Sequence, residues 1–447
     1  MSQPNVDTIA AVATAQGRGG VGVVRISGGD IQALAYGILG GLPRARHATY
    51  VNFLNDKGDT LDQGIALYFP APHSYTGEEV LELQGHGGTA VLHMLLQRCL
   101  DLGARLAQPG EFTCRAFLNN KMDLAQAESV ADLIDANSTE AARSALRSLR
   151  GEFSSAIREL VDALIYLRML VEAMMDFPEE DVDSVDLQHR DAMLKDIRHK
   201  LQHTLDTAKQ GSLLREGAHI VIAGQPNVGK SSLLNKLSGE EVALVSDIPG
   251  TTRDVIRQAI QLRGVPLHII DTAGLRESED VVESMGIART RQTLHRADLI
   301  LLLLDASQGV TIQDEAILSG LPTDIPHLLV FNKSDLLHGK TAVLPEEDRA
   351  ICVSAITGAG LEELRGMILE AVGWRAQESG AFMARERHLR ALQLAQKYLC
   401  QAQEVLAVAE LFAEELRLAQ HALGEITGEF TPDDLLGEIF SRFCIGK

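Results

Sequence analysis

No stretch of this 447-residue chain is long and apolar enough to cross a bilayer. The longest apolar run, Leu299 to Leu304, falls far short of the ~20 residues a membrane helix requires. Residues 1–30 show no basic start followed by an apolar run, so no secretory leader is expected. Cysteine is scarce: the five, at 99, 114, 352, 400 and 444, have neither disulfide-framework nor metal-site spacing. Reduced thiols and a cytoplasmic location are the expectation. Basic residues are outnumbered, 41 Lys and Arg against 61 Asp and Glu, for a net charge of −20. Such a surface does not coat nucleic acid non-specifically, although a local basic patch, or a partner that supplies one, is compatible with it.

What is present falls into compositional zones. Residues 1–120 alternate short β-rich runs (TIAAVAT, VGVVRIS, GIALYFP, EVLELQ) with Gly/Pro turns, and TAVLHMLLQRCLDLG reads as a helix. This predicts an α+β domain. Over 121–215 the pattern is helical, with Ile157, Leu160, Val161, Leu164, Leu167, Val171 and Met174 on one face. Residues 216–378 alternate strand and helix as a doubly wound parallel sheet does, and helical periodicity returns over 379–447. The expected architecture is therefore multidomain: an N-terminal α+β domain, an α-helical domain from two chain segments, and an α/β module inserted between those segments. In TPDDLLGEIF, Thr431 suits an N-cap, Pro432 the first helical position, and Asp433 and Asp434 the positive end of the helix dipole.

The inserted module carries a nucleotide signature. AHIVIAGQPNVGKSSLLNKL reads strand, Gly-rich loop, helix, and Gly224 with Gly229-Lys230-Ser231 satisfies G-x-x-x-x-G-K-[ST]. Such a loop turns its amides toward phosphates at a helix N-terminus. Asn227, Val228, Gly229, Lys230, Ser231 and Ser232 are the candidate contacts, with Lys230 reaching the β/γ-phosphates and the Ser231 hydroxyl holding Mg²⁺. DTAG (Asp271, Thr272, Ala273, Gly274) follows the strand PLHII and would bring a carboxylate and a backbone amide to the γ-phosphate and its Mg²⁺. NKSD places Asn332, Lys333 and Asp335 after the strand HLLVF. Asp335 can accept from guanine N1–H and its 2-amino group, whereas adenine would leave that carboxylate unpaired at a cost of about 1–3 kcal/mol. Ser354 and Ala355 match the loop that backs the base. Four motifs in this order predict a guanine-specific, Ras-like P-loop GTPase.

Two features depart from simple expectation. The residue after DTAG is Leu275, where a Ras-like protein has a glutamine to orient the attacking water, and the acids nearby, Glu277, Glu279, Asp280 and Glu283, cannot be ranked by spacing. No arginine finger stands out. A monovalent cation could supply that charge, and Asn227 offers an oxygen for one, or is simply a turn residue. Gly17–Gly22 (GRGGVG) formally fits a dinucleotide fingerprint, but it runs into a strand and not a helix, so a Gly-rich β–β loop is expected.

The ending, FCIGK, superficially resembles a prenylation box. Its third position is Gly446, its last residue is Lys447, and no basic run precedes Cys444, so that reading fails. An aromatic and a thiol following an amphipathic helix instead suggest a tail that docks.

Taken together, GRGGVGVVRISG, YTGEEVLELQGHGG, PGEFTCRAFLNNKMDLAQAE, DFPEEDV, GQPNVGKSSLLN, VSDIPGTTRDV, DTAGLRESEDVVESMGIAR and the terminal FCIGK resemble the MnmE (TrmE) family of tRNA modification GTPases over essentially the whole chain. Ribosome-assembly GTPases share the nucleotide motifs and DIPGTTRD, but not the flanking domains or the ending. A regulatory RNA- or ribosome-associated switch is the alternative, although the basic module such switches append is not visible here. The resemblance implies a GTP hydrolase that acts with the flavoprotein MnmG (GidA). Together they place a carboxymethylaminomethyl or aminomethyl group on C5 of wobble uridine 34 of certain tRNAs. A tetrahydrofolate derivative, 5-formyl or 5,10-methylene, supplies the one-carbon unit and binds the N-terminal domain, which also forms the homodimer. The resemblance further implies K⁺ ligands at Asn227, Ser246, Ile248 and Thr251, Mg²⁺ ligands at Ser231 and Thr252, and a water-positioning Glu283. Folate contacts would fall at Arg25, Glu82, Lys121 and Lys447, with Cys444 acting in the modification on an arm folded toward that pocket.

Overall fold

The computed structural model describes residues 7–15, 17–176, 184–238, 257–271, 297–337, 349–375, 380–429, 433–441, 443, 444 and 446. Its contacts divide the chain into two compact units, one of 1–131, 148–181 and 401–447, the other of 132–147 and 182–400.

The first unit is built on a six-stranded sheet of order β3-β4-β5-β2-β1-β6: β1 (Ile9–Val12), β2 (Gly19–Gly28), β3 (Thr49–Leu54), β4 (Thr60–Phe69), β5 (Glu79–Gly87) and β6 (Arg105–Leu106). All pairs are antiparallel except β1 with β6. Side chains alternate between faces, as the pleat requires. Ala10, Val24, Ile26, Leu81 and Leu83 form a core with residues of α1 (Gln32–Leu39) and α2 (Thr89–Asp101). On the opposite face Ile9 and Ala11 pack with Phe112 of α3 (Glu111–Leu118), while Tyr50 and Ile65 stay exposed. Within GRGGVG, Gly22 admits α2 closely, since a Cβ there would meet Leu92 Cδ2 at 2.6 Å, and Gly19 is approached by Gly87 of β5, where a Cβ would meet Gly19 O at 2.6 Å.

Helices complete this unit. The face expected over 157–174 is buried at Ile157, Leu160, Val161, Leu164, Leu167 and Val171 and half-buried at Met174, on a helix spanning Glu152–Asp176. It packs along the helix Ala409–Thr427, with Arg168 Nη1 donating to Gln420 Oε1 at 2.7 Å. A final helix spans Asp433–Ser441, and its expected caps Thr431 and Pro432 lie outside the described residues.

The second unit holds a sheet of order β12-β11-β10-β7-β9-β8, from β7 (Ala218–Gly224), β8 (Arg257–Leu262), β9 (Val265–Asp271), β10 (Leu299–Asp305), β11 (His327–Asn332) and β12 (Ala350–Cys352). Only β8 runs antiparallel to its neighbour. The apolar run 299–304 is the central strand β10: Leu299, Leu301 and Leu303 face one core, and Ile300, Leu302 and Leu304 the other. The long helix Ser184–Glu216 leads into β7, and the helix Lys230–Ser238 follows it. Asp132, 6% exposed, accepts from Arg215 Nε at 2.9 Å and Arg385 Nη2 at 2.8 Å, tying three distant segments.

Gly211 lies where the long helix meets the stretch 381–384, and a Cβ there would sit 1.8 Å from Phe382 O. Because that obstacle is backbone, Gly211→Ala should cost about 1–3 kcal/mol or more. Urea unfolding followed by circular dichroism measures this, and an unchanged midpoint would refute the packing described.

Candidate nucleotide site and the docked C-terminal arm

The loop between β7 and its following helix depends on unusual backbone. Gly224 (φ +142°) and Gly229 (φ +97°) have no room for a side chain, since a Cβ would meet Leu303 O at 2.4 Å or Asn332 Nδ2 at 2.3 Å. Asn227, at φ +63°, is a residue type that tolerates the left-handed region, and it is exposed. Lys230 is buried and donates to the carbonyls of Gly224 (2.9 Å) and Gln225 (2.8 Å). Ser231 and Ser232, at the start of the helix, are exposed.

The guanine motif is joined to this loop by one side chain. Asn332, 2% exposed, donates from Nδ2 to Val228 O at 2.8 Å and accepts at Oδ1 from Ala355 N at 3.0 Å. Asp335 Oδ1 accepts from Ser354 Oγ at 2.5 Å, and that oxygen accepts from Thr357 N at 3.1 Å. Lys333, at φ +66°, donates to Asp305 Oδ2 at 2.8 Å. Burial pushes the Asp305 carboxyl up, but Lys333 and Ser307 outweigh it and hold the group below its ordinary value. A cavity of ≈ 90 Å³ lies among Gln225, Asn227, Asp305, Thr311, Asp314 and Lys333.

Sequence reasoning missed the bracket on the other side of the loop. The Gln225 amide donates to Thr311 Oγ1 at 2.7 Å and to Asp314 Oδ1 at 2.9 Å, and Thr311 and Asp314 form the capping box of the helix Ile312–Ser319. The T-x-x-D spacing was a visible signal, whereas Gln225 carried none. Asp271 ends β9, paired with Ile222 of β7. Its side chain lies outside the described residues, as do Thr272, Ala273, Gly274, Ser246, Ile248, Thr251, Thr252, Glu283 and Lys447.

In the first unit, Arg25 and Glu82 stand opposite each other on β2 and β5, with Arg25 Nε donating to Glu82 Oε1 at 2.9 Å. The guanidinium carbon lies 5.4 Å from the Tyr75 ring centroid and 5.8 Å from that of Phe112. Burial pushes the Tyr75 hydroxyl up, against opposing pulls from its Thr113 partner and Arg25. Lys121 is exposed and donates to Pro72 O at 2.9 Å, and among the described residues no hydrogen bond joins it to the Arg25–Glu82 pair.

The chain end docks in this same unit. Phe440 and Phe443 are buried with Leu124 and Ile439, and their rings lie 5.4 Å apart. Gly110, at φ +66°, donates its N–H to Cys444 O at 3.3 Å, and a Cβ there would strike Phe440 O at 2.6 Å. Gly446 lies against β1, where a Cβ would meet Val12 O at 2.3 Å. Cys444 itself is exposed.

Comparison with known proteins covers the whole chain. A family model described as the MnmE helical domain matches residues 124–444, and one described as the GTP-binding protein TrmE N-terminus matches 8–121. The tRNA modification GTPase MnmE of Nitrosomonas europaea is 60% identical over 99% of both chains, that of Laribacter hongkongensis 60% over 99% of both, and that of Neisseria meningitidis serogroup A 55% over 99% of both.

Removing the Asn332 amide should leave the buried Val228 carbonyl and Ala355 amide unpaired, at about 1–3 kcal/mol. In Asn332→Ala, hydrogen exchange at the Ala355 amide should accelerate and GTP affinity fall. Exchange at the original rate would show that the bridge does not hold the two loops.

Proposed function

The chain belongs to the tRNA modification GTPase MnmE family, and we propose that its GTP hydrolysis drives installation of an aminomethyl-type group on C5 of the tRNA wobble uridine. In this reading it works as a cytoplasmic homodimer with the flavoprotein MnmG, and a reduced folate supplies the one-carbon unit. Its parts are a folate and dimer domain (1–120), a helical domain in two segments (121–215 and 379–447) and the G domain (216–378) between them. Exposed Tyr50 and Ile65 on the sheet of the first unit support a dimer contact there.

The observation that carries the reading is the docked arm. A chain end held by Gly110 and Gly446 presents an exposed Cys444 in the same unit as the Arg25–Glu82 pair. Glu82 Oε2 makes no hydrogen bond among the described residues, so it is available to the donor edge of a pterin, with Tyr75 and Phe112 as flat walls beside Arg25. Arg25, Glu82, Lys121 and Lys447 are the proposed folate contacts and Cys444 the proposed catalytic thiol.

For hydrolysis, bound Mg²⁺ and K⁺ would stabilise charge developing on the phosphoryl oxygens. The protein's part is to aim oxygen donors. The exposed Ser231 hydroxyl, with Thr252, suits Mg²⁺. Asn227, exposed and without a hydrogen-bond partner among the described residues, suits K⁺ together with Ser246, Ile248 and Thr251. Glu283 would orient the attacking water, the task that Leu275 cannot perform.

Hydrolysis should run much faster in KCl than in NaCl, and Asn227→Ala should erase the difference, whereas equal wild-type rates in both salts would contradict the cation role. In a deletion strain, nucleoside analysis by mass spectrometry should show wobble uridines without the C5 group. Restoring the chain truncated before Cys444 should leave them unmodified while GTP binding stays intact. Normal modification by the truncated chain would remove the arm from the chemistry.

A further inference from the structure

This acidic chain carries a cluster of basic residues without acidic partners among the described residues. Arg44, Arg46 and His47 lie in the loop before β3, His73 in the loop after β4, and Lys121 just after α3, and all five are exposed. Backbone oxygens rather than carboxylates hold them together. Arg46 Nη2 donates to His73 O at 2.5 Å, and Lys121 Nζ donates to the adjacent carbonyl, Pro72 O, at 2.9 Å. Arg46 N also donates to Tyr68 O at 2.8 Å, at a φ of +59° that non-glycine residues seldom adopt, so the backbone from which its side chain springs is pinned to the end of β4. Among the described residues no ion pair involves any of the five, whereas Arg25, Arg105 and Arg115 of the same unit each contact a carboxylate.

In a chain of net charge −20, these basic residues, three of them Arg or Lys, converge from three stretches separated in sequence, a surface suited to an anion. Its form selects the anion. Small ligands favour concave sites that bury most of their surface, and this cluster stands on exposed loops. Phosphodiester backbones are instead held from surfaces by Arg and Lys heads that position the nucleic acid without reading its bases.

We propose that Arg44, Arg46, His47, His73 and Lys121 form the contact surface for the phosphate backbone of the tRNA substrate. This rests on the reading that tRNA is the substrate. Lys121, also a folate candidate, would mark where the RNA surface borders the transfer site.

The test uses the full chain and a fluorescently labelled, unmodified tRNA transcript with uridine at the wobble position, titrated from 50 to 300 mM KCl. Arg44→Gln with Arg46→Gln should weaken binding by about 3–10-fold at low salt and flatten the salt dependence by about one to two phosphate contacts. GTP hydrolysis and the thermal midpoint should not change. Arg44→Glu alone, at a side chain that makes no hydrogen bond among the described residues, should act in the same direction and guards against misfolding of the double variant. Unchanged tRNA affinity and slope in both variants would overturn the surface. So would variants that keep tRNA binding but lose 5-formyltetrahydrofolate triglutamate, which would transfer the site to folate carboxylates. A wild-type chain that binds no tRNA would fail the substrate reading itself and the surface with it.

Discussion

The nucleotide site depends on the Asn332 side chain. A buried amide has to satisfy both its donor and its acceptor, and here they engage the phosphate loop at Val228 O and the base loop at Ala355 N. The same amide sets the local sterics, because its Nδ2 occupies the space a side chain on Gly229 would need. Glycine at 229 and asparagine at 332 are thus two halves of one constraint. The loop can bring its amides close to phosphates only while both are present. Gln225, clamped by Thr311 and Asp314, fixes the other flank, and Lys333 does the same for Asp305.

A related rule governs the chain end. Gly110 and Gly446 both lie in the left-handed region, with backbone oxygens of Phe440 and Val12 where their side chains would be. These close approaches give the arm room, and burial of Phe440 and Phe443 with Leu124 and Ala127 offsets the entropy of ordering it. A merely frayed tail would not need them. The lipidation reading fails on its own chemistry, and the packing shows what the aromatic residues before Cys444 do instead.

Much of the fold was legible because its signals are local. The run 299–304 reads as a strand buried on both faces, and the Gly-rich loop announces the strand and helix on either side of it. The apolar stripe from Ile157 to Val171 is buried as its periodicity predicts. Where reasoning fell short, the determinant was distant in sequence or weakly patterned. The strand Thr49–Leu54 alternates in burial, but its sequence TYVNFL does not alternate apolar with polar residues, and Arg105–Leu106 is too short to show any pattern. Bonds from side chain to backbone across long separations, such as Asn332 to Val228 or Lys121 to Pro72, leave no periodic trace. The basic cluster is legible only in part: Arg44, Arg46 and His47 adjoin in PRARH, with no acidic residue between Asp30 and Asp56, whereas His73 and Lys121 join them only in space.

The two units offer groups of different chemistry, a nucleotide loop in one and, in the other, an aromatic-flanked carboxylate and a docked arm that carries a thiol. Their independence as binding sites is the central claim. Calorimetric titration of the full chain with Mg²⁺-GDP and then with 5-formyltetrahydrofolate tests it most directly. The account predicts two saturable events of one ligand per chain, the second lost in Glu82→Ala while the first is kept. Saturation by the nucleotide alone, with no heat from the folate, would contradict it.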